Sequence, residues 1–207
     1  MKQRYRYIMG KNCIREVLRA ASQRLVEVYT SHSNDDALYD ELVKAGVTVK
    51  EISKKKLTQM VESDSHQSYI AAVKERGHED VGGYLKRFFE RDKVCVVMLD
   101  SIFDPQNVGT ILRASECFGV DLVIYSKNRG ADITAVVSKT SVGASELVPI
   151  LKVSNLADTM KRFQKEGFAA VTAEVGEKAE SIYSFDFPEK TLIVMGSEGK
   201  GVQPLIS

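Results

Sequence analysis

The sequence predicts an α/β protein with a C-terminal, mostly parallel sheet carrying helices on both faces, preceded by a smaller α/β unit. Three observations carry this prediction. From Val94 onward, short and nearly continuous apolar runs alternate with helix-length segments, the pattern of strands buried on both faces of a parallel sheet. Before residue 74 a separate alternation of strand-like and helix-like stretches occurs. Between the two, residues 74–93 are highly charged and interrupted by Gly77, Gly82 and Gly83, the composition of a boundary. The expected division is therefore 1–73, a linker at 74–93, and 94–207.

The elements follow in chain order. Ile8-Met9-Gly10 leads into Asn12, an N-cap residue type, after which Ile14, Val17, Leu18 and Ala21 recur at helical spacing. A strand is expected at Leu25–Tyr29, a helix at Asp35–Lys44 ended by Gly46, and a strand at Val47–Val49. A short helix at Lys54–Val61 and a strand at Ser68–Val73 close the unit, and Tyr84–Glu90 has the length of one more helix. In the larger unit the expected strands are Val94–Asp100, Leu122–Tyr125, Leu147–Leu151, Phe168–Thr172 and Leu192–Met195. Helices are expected between them at Val108–Phe118, Ile133–Thr140 and Asn155–Glu166.

Composition narrows the class. The 207 residues hold 29 Lys/Arg against 28 Asp/Glu, and no apolar run approaches the roughly 20 residues of a spanning helix. The basic N-terminus leads into no apolar signal core, so a cytoplasmic location is expected. Cys13, Cys95 and Cys117 have no metal or redox spacing, and Cys95 and Cys117 are expected to be core thiols. His32, His66 and His78 have no ligand-spaced partners, so no metal is expected. The balanced charge conceals an asymmetry: residues 1–56 carry 12 Lys/Arg against 7 Asp/Glu, and residues 94–207 carry 11 against 14. Such an N-terminal bias serves either a polyanion-docking module or a solvated basic face.

The loops that would carry chemistry are unusual. After the first strand of the larger unit, where a dinucleotide-binding protein places its glycine-rich turn, the chain has Asp100-Ser101-Ile102-Phe103-Asp104-Pro105-Gln106-Asn107. The glycine-rich turn comes after the last strand, as Met195-Gly196-Ser197-Glu198-Gly199-Lys200-Gly201, without the spacing of a phosphate loop. Asn107 is placed as an N-cap. Val108, Ile111, Leu112 and Ser115 form an expected buried stripe, with Phe118 one turn on. Gly109 and Arg113, four apart, share another face. A glycine there costs about 1 kcal/mol of helix stability against alanine, and its expected benefit is open space beside Arg113.

These segments resemble two signature motifs of the SpoU/TrmH family of RNA-ribose 2′-O-methyltransferases, within the SPOUT superfamily. Asp104–Ser115 resembles the first motif, an Asn-x-Gly-x-x-x-Arg core after a Pro-containing loop. Leu192–Val202 resembles the second, a strand running into Gly-x-Glu-Gly-x-Gly. Ser141-Val142-Gly143-Ala144-Ser145-Glu146 and Asn155-Leu156 are similar to positions between them. Gly10-Lys11-Asn12 and His66-Gln67 resemble the ribosomal-protein-like substrate module of the rRNA-modifying branch.

The resemblance implies a trefoil-knot fold and methyl transfer from S-adenosylmethionine to a ribose 2′-hydroxyl, in 23S ribosomal RNA. The alternative it leaves is an RNA-binding protein that keeps the fold without catalysis. Arg113 is implied at the reacting ribose and phosphate, as base or as clamp, with Asn107 positioning Arg113 or the substrate. Glu198 is implied to anchor its loop or pair with an arginine. The resemblance places the cofactor against Thr172, Ala173, Gly196, Gly199 and Gly201, and the RNA against Arg4, Arg6, Lys11 and Arg15. A homodimer through the C-terminal domain is implied as well. The family's third motif, a Ser-Leu-Asn-Val-Ser-like run that builds the knot, has no counterpart up to Ser207, so the expectation is either a knot tail beyond that residue or a version without a complete cofactor site.

Overall fold

The computed structural model describes residues 5–32, 36–77, 79–176, 179–199 and 201–202; Arg4 lies outside them. By packing the chain forms two compact units. One comprises residues 1–77, 105–114 and 132–147, the other residues 78–104, 115–131 and 148–207.

The first unit is built on a mixed sheet of β1 (Tyr5–Met9), β2 (Leu25–Thr30), β3 (Val49–Glu51) and β4 (Tyr69–Lys74), in the order β1-β4-β2-β3. β4 pairs antiparallel with both β1 and β2, and β3 pairs parallel with β2. Helices α1 (Lys11–Ala21) and α2 (Ala37–Lys44) pack Ile14, Val17, Leu38 and Leu42 against Ile8, Val28, Ala71 and Val73 of one sheet face. The other face meets Leu57 of α3 (Lys54–Val61) and Ala135 and Val136 of α6 (Ala135–Thr140).

Two expected boundaries move for identifiable reasons. Helix α1 starts directly after Gly10, which supplies the cap backbone at φ +93°, a conformation glycine adopts freely; Asn12 is therefore inside the helix. β3 begins at Val49 because the Val47 amide is spent on the Leu42 carbonyl at 3.0 Å. That bond, with the Gly46 amide on Val43 O and Gly46 at φ +73°, ends α2 in a left-handed cap.

The second unit holds a five-stranded sheet of β5 (Val94–Leu99), β6 (Leu122–Ser126), β7 (Ile150–Val153), β8 (Ala169–Ala173) and β9 (Lys190–Met195), in the order β7-β6-β5-β9-β8. Every pairing is parallel. Alternate positions Val96 and Met98 face α4 (Val81–Phe88) and α7 (Leu156–Lys165), whose Tyr84, Phe88, Met160 and Phe163 complete one core. The intervening Val97 and Leu99 are buried too, so both faces are covered, as the apolar runs predict. The charged stretch before Val94 thus contributes α4, started by the Asp80 carboxylate accepting from the Gly83 amide. β7 starts after Pro149, later than expected, because residues Ala144–Glu146 form a 3-10 turn and proline has no amide to give a ladder.

The remaining helix, α5, runs Pro105–Cys117, with proline at the first helical position, where no amide is needed. Val108, Leu112 and Ser115 are buried as the stripe requires. Phe118 is not: it is 85 % exposed, because Gly119, at φ +67°, turns the chain and sends the Val120 amide back to Ser115 O. Cys117 is exposed and Cys95 half-buried, so only Cys13 is a core thiol.

Candidate active site

Strands β5 and β9 are sequence-distant neighbours at the centre of the parallel sheet, with Leu99 opposite Met195. The chain leaves β5 toward β6 and β7, crosses to β8 at the far edge and comes back beside β5 as β9, which makes the carboxyl ends of β5 and β9 the topological switch point where ligands enter open α/β sheets. The two signature segments leave from that point. Asp100, buried, donates its amide to Met195 O at 2.9 Å. Ser101, at φ +60°, bends the loop and donates its hydroxyl to Asp100 Oδ1 at 3.0 Å. Ile102 O accepts from the Ala131 amide at 2.8 Å, fixing the loop's other side.

The glycine-rich turn after β9 is closed by reciprocal bonds between Ser197 and Gly201, N to O at 3.1 and 3.0 Å. A Cβ on Gly196 would lie 2.0 Å from Gly201 C and 2.3 Å from Val202 N, so the returning backbone itself requires glycine there. Gly199 and Gly201 take φ +80° and +63°. Glu198 stands exposed at the tip. Next to the turn, β8 aligns Thr172 with Val194 and Ala173 with Met195. A Cβ on Gly201 would be 3.9 Å from Glu174 Oε1, and one on Gly199 would meet nothing within 4 Å. Thr172 and Ala173 thus lie on the strand beside the one that leads into Gly196.

Asn107 and Arg113 lie on α5 in the first unit. Asn107 is in the first turn of the helix, two residues past its start, and does not cap it. Both side chains are exposed. Six residues of helix separate them by about 9 Å along the axis and about 120° around it, so one face does not carry both. Gly109 does not open space beside Arg113. A Cβ there would be 2.0 Å from Thr140 Oγ1 and 3.0 Å from the Ser141 amide; the glycine lets α5 and α6 cross at contact distance. Thr140 Oγ1 in turn donates to carbonyls of its own helix, including Val136 O at 3.0 Å.

The basic residues assigned to RNA are mostly occupied within the first unit. Arg6 pairs with Glu146, whose side chain is fully buried, and Arg24 reaches the same carboxylate at 2.8 Å. Arg24 also donates to Lys74 O, and Arg76 donates to Ser145 O and Leu147 O. Lys11 pairs with Asp36 and sits over the Tyr69 ring, and Arg15 reaches Glu41 at 3.1 Å. Glu146 is the residue the sequence did not single out for a role. Its signal is a carboxylate inside the small and apolar run Val142–Val148, where charge is costly unless paired.

The SpoU rRNA Methylase family model matches residues 94–207, and the RNA 2′-O ribose methyltransferase substrate binding model matches residues 7–77. The 23S rRNA (guanosine-2′-O-)-methyltransferase RlmB of Vibrio cholerae is 34% identical over 202 residues, 96% of this chain and 81% of that protein. That of Pasteurella multocida is 32% identical over 205 residues, with 96% and 82% covered. The SpoU methyltransferase AviRb from Streptomyces viridochromogenes, solved with AdoMet, shares the fold at a TM-score of 0.74 and 19% identity over 96% of this chain and 75% of that one. An AdoMet-bound rRNA methyltransferase from Sinorhizobium meliloti does so at 0.71 and 19%, over 97% and 73%. With a family model spanning more than half of its length and relatives of this similarity along nearly all of it, the chain belongs to the SpoU rRNA methylase family.

Proposed function

We propose that this protein transfers a methyl group from S-adenosylmethionine to a ribose 2′-hydroxyl of RNA, at a guanosine of 23S ribosomal RNA. The observation that carries the reading is the edge at the switch point, where the loop after β5 and the glycine turn after β9 emerge from adjacent strands. S-adenosylmethionine supplies, when bound, an electrophilic sulfonium methyl. The fit rests on the close backbone crossing at Gly196 and the open space at Gly199, after the strand next to Thr172 and Ala173. These residues and Gly201 would hold the cofactor, with Glu198 steadying the turn.

The protein's own task is to orient a weakly acidic hydroxyl in line with the methyl and to stabilise the charge that develops on its oxygen. Guanidinium groups keep their proton throughout the working range of proteins, so Arg113 is assigned as the clamp on ribose and adjacent phosphate rather than as the base. Asn107, turned away from Arg113 on the helix, is assigned to the substrate. Lys11 and Arg15 are exchangeable partners for RNA phosphates at the cost of their acidic neighbours; Arg4 is assigned with them. Arg6 contributes indirectly, through Glu146.

The reading includes a cytoplasmic location and a homodimer through the second unit, supported by Phe103 and Phe118, exposed by 65% and 85%. Sedimentation that shows one molecular mass at all concentrations, equal to the monomer's, removes the dimer. The activity is tested with labelled S-adenosylmethionine and 23S rRNA, followed by alkaline hydrolysis. The expected product is a dinucleotide resistant to base, the mark of a methylated 2′-oxygen. RNA binding without any incorporation supports the non-catalytic alternative instead.

A further inference from the structure

We propose that the open end of the first unit's sheet, carrying Tyr5 and Tyr7 and braced from the closed end by Tyr29, is a stacking platform for unpaired bases of the RNA substrate. The inference deepens the RNA-methylation reading and rests on it.

The platform follows from strand register. In β1, Tyr5, Tyr7 and Met9 point to one face, opposite Lys74, Ala72 and Ile70 of β4. Beyond β4, Glu27 stands opposite Ala72 and Tyr29 opposite Ile70, and Lys50 stands beside Tyr29. At the Met9 end this face is closed by Leu57, Met60 and Val61 of α3 and by Ala135 and Val136 of α6. At the other end Tyr5 and Tyr7 remain 51% and 41% exposed. Exposed aromatic rings on a sheet surface offer faces on which bases stack.

The rings are held in place before any partner arrives. Tyr7 and Tyr29 meet edge to face, with centroids 6.3 Å apart. The Tyr29 hydroxyl donates to Glu27, which is also paired with Lys50. The Lys50 bond, followed by that of Tyr29, holds the Glu27 carboxyl below its ordinary range, so the acceptor stays ionised and the Tyr29 ring stays fixed. The small Ala72 between Tyr7 and Glu27 keeps the surface low.

Charge and family together choose the occupant. Lys50 and Lys74 flank the rings, Lys2 and Arg4 precede Tyr5 in the chain, and residues 1–56 hold 12 Lys/Arg against 7 Asp/Glu. Aromatic rings interleaved with cations suit a single-stranded polyanion whose bases stack while its phosphates are neutralised. The substrate-binding family model covers Tyr7 and Tyr29. A protein partner without acidic side chains would gain from the same apolar rings but not from the cations.

The test is fluorescence anisotropy of a labelled single-stranded RNA of mixed sequence with the full chain, over a range of potassium chloride concentrations. Tyr7→Ala and Tyr5→Ala are each expected to raise Kd by roughly tenfold, leaving the salt slope unchanged. Tyr7→Phe, which keeps the ring, is expected to bind within about twofold of wild type, and Lys74→Gln, opposite Tyr5, to flatten the salt slope by about one ion. Wild-type affinity in a Tyr5→Ala/Tyr7→Ala variant overturns the platform while leaving RNA methylation standing. Equal losses in Tyr7→Phe and Tyr7→Ala also overturn it, since stacking does not need the hydroxyl. Absence of RNA binding by the wild-type chain overturns both.

Discussion

Replacing Glu146 with leucine removes the one carboxylate shared by Arg6 and Arg24 and leaves both guanidinium groups facing a low-dielectric pocket. The Glu146 side chain is fully buried, whereas those of Arg6 and Arg24 are 23% and 13% exposed. Breaking a buried pair costs about 3–5 kcal/mol, chiefly the desolvation of the partner left behind. Because both arginines retain some water, the lower end applies, about 3 kcal/mol. For a chain of this size each kcal/mol shifts Tm by about 2–4 °C, so Glu146→Leu is expected to melt about 6–12 °C below wild type. Thermal and urea unfolding followed by circular dichroism measure this. Adding Arg6→Met to Glu146→Leu should recover part of the loss, since one uncompensated cation is then gone. A Glu146→Leu Tm within about 2 °C of wild type refutes the reasoning, as does a double variant less stable than the single one.

Two further outcomes test the turn and the buried histidine. Gly196→Ala sets a methyl group against the backbone of Gly201 and Val202, which cannot yield as a side chain could; calorimetry should show S-adenosylmethionine affinity reduced by tenfold or more, about 1.4 kcal/mol, and unchanged affinity contradicts the assigned wall. His66 is buried, and its Nδ1 accepts from the Ser68 amide at 3.0 Å, which requires a neutral ring. Burial first, then the charge of Lys54, lowers its pKa from 6.5. The unfolded state therefore binds the proton more readily. The resulting stabilisation is complete above about pH 6.5 and is lost as the pH falls from there through the lowered folded value. The stability difference between wild type and His66→Asn should shrink on acidification across that window; a flat difference contradicts the assignment.

Much of this was legible in the sequence because it is local. The apolar runs at Val94 and Leu122 are strands buried on both faces, and the helices expected from Lys54 and Asn155 start there, each beside a side chain, Ser53 or Asn155, that accepts from its first turn. The glycine turn was legible as a turn after the last strand, and its resemblance marked it for the cofactor. That the returning backbone of Gly201 and Val202 crosses Gly196 required the fold.

What stayed hidden depends on partners far along the chain. Arg6 lies in an alternating strand, and nothing near it reveals a carboxylate 140 residues away. Gly109 looked like open space beside Arg113 because spacing describes one helix, and Thr140 belongs to another. Phe118 continued a stripe that Gly119 had already ended. Tyr5 and Tyr7 were passed over because their meaning lies in the register with β4 and in which end of that face α3 and α6 leave open.

The division of labour between α5 and the glycine turn is tested most directly by Arg113→Ala, with single-turnover methyl transfer to 23S rRNA and S-adenosylmethionine affinity measured on the same preparation. A clamp on the ribose and phosphate predicts that transfer falls by two orders of magnitude or more, about 2.7 kcal/mol or above in the barrier, while cofactor affinity changes by less than about threefold. Transfer at the wild-type rate, or loss of cofactor binding in parallel with loss of transfer, contradicts the account.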